Sequence, residues 1–210
     1  MKQQNTYRFF DVIVAILLLI ILLPVILISI IISLIELRMS PFYTQQRGLS
    51  IDGKLFTIYK IRTVDEKPTG HETIERRFLQ SPSLIEKVPM FCKILRITGF
   101  DELPQLINVL KGEMSIVGPR PLDLFDLQFI KDHHPELDKM RMELKSKSGI
   151  LGLWQLYGKR ELGAKNLLEW DLCYEKNMNV FLDVRIILNT LFHFLSINKS
   201  KEDSIFTKKS

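Results

Sequence analysis

From Val12 to Ile35 the chain runs 24 residues without a charge, almost all of them aliphatic. At about 1.5 Å per residue, a helix of that length covers a hydrocarbon core of roughly 30 Å. Pro24 falls near the midpoint. It removes one backbone donor and crowds the preceding turn, which predicts a kink or break there. A kinked span would set Lys2 and Arg8 across a membrane from Arg38, whereas a hairpin would return both ends to one face. Basic residues at both ends supply no charge asymmetry for crossing, so the residues alone leave the two geometries open. The segment leads into Glu36, Leu37 and Arg38 rather than into the small residues of a cleavage site, which predicts that it stays attached.

Beyond it the pattern changes period. Residues 42–62 read as two short strands around a turn holding Gly48, Asp52 and Gly53. In the second strand, alternation puts Phe56, Ile58, Lys60 and Arg62 on one face, so two cations share a side. A polar loop around Pro68 and Gly70 follows, then a helical stretch over 71–97 broken near Ser81-Pro82-Ser83. Leu103, Leu106, Ile107 and Leu110 recur at helical spacing, and Gly112 predicts the end of that helix. A further helical stretch is predicted over 122–145 with an interruption at Pro135, and a glycine-rich loop over 149–160. Val180 to Ser196 is apolar but carries Asp183, Arg185, Asn189 and His193, which suits a helix packed on the core or lying on a membrane surface.

Composition then narrows the class. The 210 residues are 46% hydrophobic, sufficient for one domain and too few for two full cores. Without residues 1–36 the chain retains 27 basic and 22 acidic residues, so the net charge of +5 belongs to the part outside the apolar segment. That excess suits an anionic membrane surface or phosphate-rich ligands. No basic run is interleaved with aromatics, and no recognition-helix or finger pattern occurs, which argues against a nucleic-acid partner. Cys92 and Cys173 have neither disulfide-framework nor zinc spacing and read as small buried residues.

The densest chemistry lies in Arg96-Ile-Thr-Gly-Phe-Asp101-Glu102-Leu-Pro104-Gln, followed by Gly118-Pro119-Arg120-Pro121. One reading is structural: Asp101 at or near a helix N-cap, with Pro104 tolerated in the first turn. The other is chemical. Asp101 and Glu102 would hold Mg²⁺, or one would attack a phosphorus, while nearby arginines neutralise phosphate oxygens. Arg120 sits between two prolines, so its backbone has little freedom to lose on binding a phosphate. His133-His134 has no carboxylate or thiol at ligand spacing and reads as a solvated pair; Tyr157-Gly158-Lys159-Arg160 reads as an exposed basic turn.

Together, Phe10-Asp11, the apolar segment with its central Pro24, Thr44-Gln45-Gln46-Arg47, Phe56 to Thr63, the 21 residues from Asp101 to Pro121, and Gly152-Leu-Trp-Gln155 resemble the bacterial sugar transferases. These are the monotopic polyprenyl-phosphate phosphoglycosyl transferases. The resemblance runs from about residue 7 to 190. It implies transfer of a sugar 1-phosphate from a UDP-sugar to undecaprenyl phosphate, releasing UMP, with Mg²⁺ as cofactor. It further implies Asp101 as nucleophile, Glu102 as metal partner, Lys60, Arg96 and Arg120 as phosphate-site cations, and a re-entrant hairpin broken at Pro24. Arg62 joins the candidate substrate-binding cations through its place beside Lys60. The chain departs from the family pattern at Leu23, where serine is usual before the proline, in the loop after Arg47, and at Lys147-Ser148-Gly149-Ile150-Leu151-Gly152.

The expectation is therefore an α/β, mostly helical, membrane-associated enzyme with a short β-hairpin. Residues 1–37 would form the re-entrant membrane element, 38–196 a catalytic domain with interfacial amphipathic helices, and 197–210 a polar basic tail. It would sit on the cytoplasmic face of a bacterial inner membrane and serve the first membrane step of polysaccharide or glycoconjugate synthesis. The competing class is a membrane-tethered assembly or binding protein of the same fold without catalysis.

Overall fold

The computed structural model describes residues 2–64, 88–159 and 162–195. The loop around Pro68 and Gly70, the 71–87 part of the helical stretch predicted over 71–97 with its Ser81-Pro82-Ser83 break, Arg160 and the 197–210 tail lie outside the described residues.

The first element, α1 (Lys2–Leu37), is helical throughout with Pro24 inside it. The backbone therefore continues through the position where two separate helices were expected. Proline costs the ladder one donor, and in an apolar setting the remaining amides have no better partner than their own turn. Most of α1 is uncovered: Ile20, Ile21 and Ile28 are between 57% and 67% exposed. By length and apolarity, residues Tyr7–Leu37 qualify as a membrane-crossing helix.

The predicted pair of strands forms as β1 (Phe42–Gly48) and β2 (Phe56–Ile61), antiparallel, with Tyr43 opposite Lys60 and Arg47 opposite Phe56. A third strand, β4 (Leu122–Asp123), joins the other edge of β1, giving the order β2-β1-β4. Between them in the chain come α2 (Met90–Thr98), a 3-10 helix (Phe100–Gln105), α3 (Leu106–Lys111) and β3 (Ser115–Val117). Gly112, at φ 81°, closes α3 where the sequence predicts a stop.

Asp123 N-caps α4 (Leu124–His133) by accepting the Asp126 amide at 2.9 Å, and Pro135 opens α5 (Pro135–Met142), the predicted interruption. The stretch expected as a glycine-rich loop contains β5 (Gly149–Leu151), which pairs in parallel with β3, and the short α6 (Leu153–Tyr157). Elements of three and five residues are too short to impose a period, so their pattern was invisible. Two long helices complete the chain, α7 (Gly163–Asn177) and α8 (Val180–Leu195).

The main core joins Ala15 of α1 to Ile58, Leu106, Val109, Ile116, Leu153 and Ile186. A second cluster around Leu127, Ile130, Trp154 and Leu167 ties α4 to α6 and α7. Cys92 is buried as expected, and Cys173 is half-buried.

Candidate active site

The site is built where β2 meets the 3-10 helix. Alternation along β2 carries Ile58 and Lys60 to the same side, and both line one open cleft with Arg47, Glu102, Gln105, Arg120 and Gln155 among the other walls. Lys60 Nζ donates to Glu102 Oε1 at 2.6 Å. The pair closes a contact between residues 42 positions apart in the chain.

Asp101 and Glu102 are not at an α-helix N-cap. Gly99, in the left-handed region at φ 71°, turns the chain out of α2, and the two acids occupy the first turn of the 3-10 helix. The tighter turn lets adjacent side chains serve one site from different depths. Glu102 lies on the cleft wall, while Asp101, 7% exposed, sits behind it within reach of the charges of Lys60, Glu102 and Arg96.

Their ionisation diverges accordingly. Burial disfavours the Glu102 carboxylate, but Lys60, Arg120 and Arg47 outweigh it and hold the group down at about 2. Burial pushes Asp101 up to about 6; Lys60 and Arg96 pull it down, and the neighbouring Glu102 pushes it up. Near neutrality both are ionised, and Asp101 is the less stabilised, more basic anion. Burial lowers Lys60 despite Glu102 beside it.

Three cations thus face one cleft, Arg47, Lys60 and Arg120, with one carboxylate among them. That set can take a ligand bearing several anionic oxygens, while the buried Asp101 lies outside the lining residues. The Arg120 guanidinium lies 5.7 Å from the centre of the Trp154 ring, a cation–π contact. Gln155 donates to Ile150 O at 3.2 Å, while its buried Oε1 has no hydrogen-bond partner among the described residues.

Two adjacent carboxylates, completed by ligand phosphate oxygens and water, form an ordinary donor set for Mg²⁺. Asp101 and Glu102 fit that role, and Lys60 engages Oε1 of Glu102. No group of three or more His, Cys, Asp or Glu residues converges among the described residues.

Arg62 does not join the cluster. The strand ends at Ile61, and the Arg62 guanidinium turns back to Ser40 O at 3.0 Å and Phe42 O at 3.4 Å, over the Tyr43 ring. The alternation that placed it beside Lys60 holds only while the strand continues. Arg96 is exposed on α2, outside the cleft wall but near enough to act on Asp101. His133 stacks on Phe129 at an exposed helix end, in keeping with a solvated pair.

Arg47, Gln105 and Gln155 were not among the candidate residues. Arg47 and Gln155 lie in the Thr-Gln-Gln-Arg and Gly-Leu-Trp-Gln runs, so a signal was present without an assigned role. Gln105 likewise lies in the Asp101–Pro121 run without an assigned role, since a glutamine in a first helical turn is commonplace.

The chain matches the bacterial sugar transferase family over residues 2–197. An exopolysaccharide production protein, ExoY, of Rhizobium meliloti is 32% identical over 169 residues, covering 72% of this chain and 69% of that protein. A sugar transferase of Bacillus subtilis, EpsL, is 34% identical over 189 residues, covering 88% of this chain and 84% of its relative. A Klebsiella pneumoniae protein named UDP-glucose:undecaprenyl-phosphate glucose-1-phosphate transferase is 33% identical over 167 residues, covering 76% of this chain and 34% of that longer protein.

Proposed function

The chain belongs to the bacterial sugar transferase family, and from that premise we propose that it transfers a sugar 1-phosphate from a UDP-sugar to undecaprenyl phosphate through a covalent intermediate on Asp101. The observation that carries the reading is the cleft itself, in which Lys60, Arg47 and Arg120 surround Glu102 beside the buried Asp101. A carboxylate raised to about 6 is a better nucleophile than an ordinary one and still ionised near pH 7.

In the first displacement, an Asp101 oxygen bonds to the sugar-bearing β-phosphorus. The anhydride bond to the α-phosphate breaks, and UMP departs with the bridging oxygen. In the second, an oxygen of undecaprenyl phosphate bonds to the same phosphorus and the aspartyl bond breaks, restoring Asp101 and giving undecaprenyl-diphosphate-sugar. Neither step needs a proton. Arg120 and Lys60 orient and neutralise the donor phosphates, and Arg96 holds Asp101 ionised from outside the cleft. Mg²⁺, held by Asp101 and Glu102, would neutralise phosphate charge.

We extend the proposal to the topology of α1. Near its start α1 is bound to the rest of the domain: Tyr7 donates to Met178 O at 3.2 Å, and Asp11 accepts from Ser115 Oγ at 2.6 Å and from Ile116 N at 2.9 Å. Near its end, Ser33 donates to Arg62 O at 2.7 Å, and Glu36 accepts the Cys92 amide at 2.7 Å. One polar domain that grips both ends supports entry and exit on one face of the membrane, with the uncovered middle dipping into lipid. We place that face in the cytoplasm, where nucleotide sugars are found, on a bacterial inner membrane.

Asp101→Asn preserves shape and removes the nucleophile. Purified protein with undecaprenyl phosphate, Mg²⁺ and a panel of UDP-sugars should release UMP with at least one donor, and the variant should release none while remaining membrane-bound. Substantial UMP release by the variant would defeat the covalent role.

A further inference from the structure

We infer that the buried pair Arg141–Asp171, remote in sequence from the cleft, is the device that positions Arg120 for donor phosphate. This rests on the assignment of Arg120 as a phosphate-binding residue. Arg141 lies on α5 and Asp171 on α7; they are 1% and 3% exposed and joined through Arg141 Nη1 and Asp171 Oδ2. Arg141 spends its other donors on backbone: Nη2 on Arg120 O at 2.7 Å and Nε on Leu49 O at 2.9 Å. The Arg120 amide lies close enough to the Asp171 carboxylate to oppose the upward push of burial on that group. The pair thus holds the Arg120 carbonyl through Arg141 and sets the Asp171 charge beside the Arg120 amide.

The flanking prolines give this grip its force. Pro119 and Pro121 have no amide hydrogen, so Arg120 carries the only backbone donor of the Pro-Arg-Pro tripeptide. The other two carbonyls are held as well, Pro119 O by Gly149 N at 3.0 Å and Pro121 O by Arg47 Nη1 at 3.0 Å. All three carbonyls of the tripeptide are therefore hydrogen-bonded, and the guanidinium leaves from a fixed point toward the cleft and over Trp154. Forked recognition of phosphate tolerates errors of only about half an ångström.

A buried ion pair is an expensive way to gain stability. Its desolvation cost commonly cancels the attraction, and apolar replacements of similar size are often as stable. What apolar side chains cannot do is donate to the Arg120 and Leu49 carbonyls at once. Arg141 and Asp171 are accordingly positioning residues, acting on the donor through Arg120.

The test is equilibrium binding of UDP, with MgCl₂, to the purified full-length protein, which requires no turnover. Arg120→Ala should weaken UDP at least about tenfold, the size of one charge-assisted contact. Arg141→Lys retains a cation for Asp171 but loses the fork to Arg120 O and Leu49 O, and should weaken UDP at least about fivefold. Combining the two should leave binding within about twofold of Arg120→Ala alone, because both act through one guanidinium. A merely structural role would lower Tm and the fraction that binds, and leave the Kd of the remaining folded molecules in place. If Arg141→Lys does not accumulate, the paired Arg141→Met, Asp171→Leu variant carries the same expectation with the buried charges removed together. A UDP Kd within twofold of the parent in either variant, alongside a tenfold loss in Arg120→Ala, overturns the positioning role. An unchanged Kd in Arg120→Ala defeats the phosphate-binding assignment instead.

Discussion

Asp101 and Glu102 are sequence neighbours in opposite electrostatic circumstances. Glu102 meets Lys60 at 2.6 Å in the cleft, and Asp101 is buried behind it. Glu102→Gln removes the one carboxylate among three cations while keeping the side-chain shape. Without Mg²⁺, UDP should bind this variant at least as tightly as the parent, since an anionic ligand meets one less negative charge. Adding Mg²⁺ should tighten UDP in the parent at least about fivefold more than in the variant. An equal response by titration would remove Glu102 from the metal site. A second residue-scale prediction concerns Asp183. Burial pushes it up to about 7, against the bond from Tyr174 and with the Asp11 charge adding. Folding therefore favours its protonated form, whose stabilisation is complete below the ordinary carboxyl range near pH 4 and is lost progressively from there until pH has risen through about 7. Asp183→Asn should raise Tm by at least roughly 4 °C at pH 8 and change it little at about pH 4, as differential scanning fluorimetry would show.

At the scale of elements, Asn108 joins the strand that carries Lys60 to the helix that follows Asp101 and Glu102. Fully buried on α3, it donates to Thr57 O at 2.6 Å and Glu113 Oε2 at 2.7 Å, and accepts the Tyr59 amide at 3.3 Å. Asn108→Ala leaves those groups without their partner, at a cost of about 2 kcal/mol. Tm should fall by roughly 5 °C and kcat/KM by more than tenfold, as β2 loses its tie to α3. A Tm within 1 °C of the parent would show that β2 and α3 are held by other contacts. Several longer elements were legible here, although the 15-residue α7 was not among the predicted elements. The strands over 42–62, the stop at Gly112, the break at Pro135 and the helix from Val180 each announced themselves by period or by a terminating residue. β3, β5 and α6 did not, because three to five residues repeat nothing.

For the whole molecule, the decisive feature is that α1 is polar-bonded to the domain at both ends and uncovered between them. Other apolar side chains also remain outside: Met90 and Ile97 of α2 are 74% and 69% exposed, and Phe181 of α8 is 86% exposed. Water does not favour such surfaces, and a membrane interface does. In a background lacking Cys92 and Cys173, single cysteines at Gln3 and Ser40 should both resist a membrane-impermeant thiol reagent in intact spheroplasts and both react after lysis. Labelling of Gln3→Cys alone before lysis would establish a span instead of a hairpin. Pro24→Ala should return the missing backbone bond, shift some molecules towards spanning and lower activity, since a straighter segment would no longer hold the cleft at headgroup depth.

By itself the sequence determined what depends on neighbours in the chain. The apolar run, the Asp-Glu pair with its flanking arginines, and the rigid Pro-Arg-Pro segment are local, and each residue type constrains its own chemistry at short range. Tertiary structure alone decided which cations reach the cleft. Lys60 arrives because β2 lies on the 3-10 helix, Arg47 because β1 pairs with β2, and Arg62 turns away because the strand ends one residue earlier. The grip of Arg141 and Asp171 on Arg120 was invisible in the same way. Its three members come from separate elements 21 to 51 positions apart, and no periodicity records a meeting made only by packing.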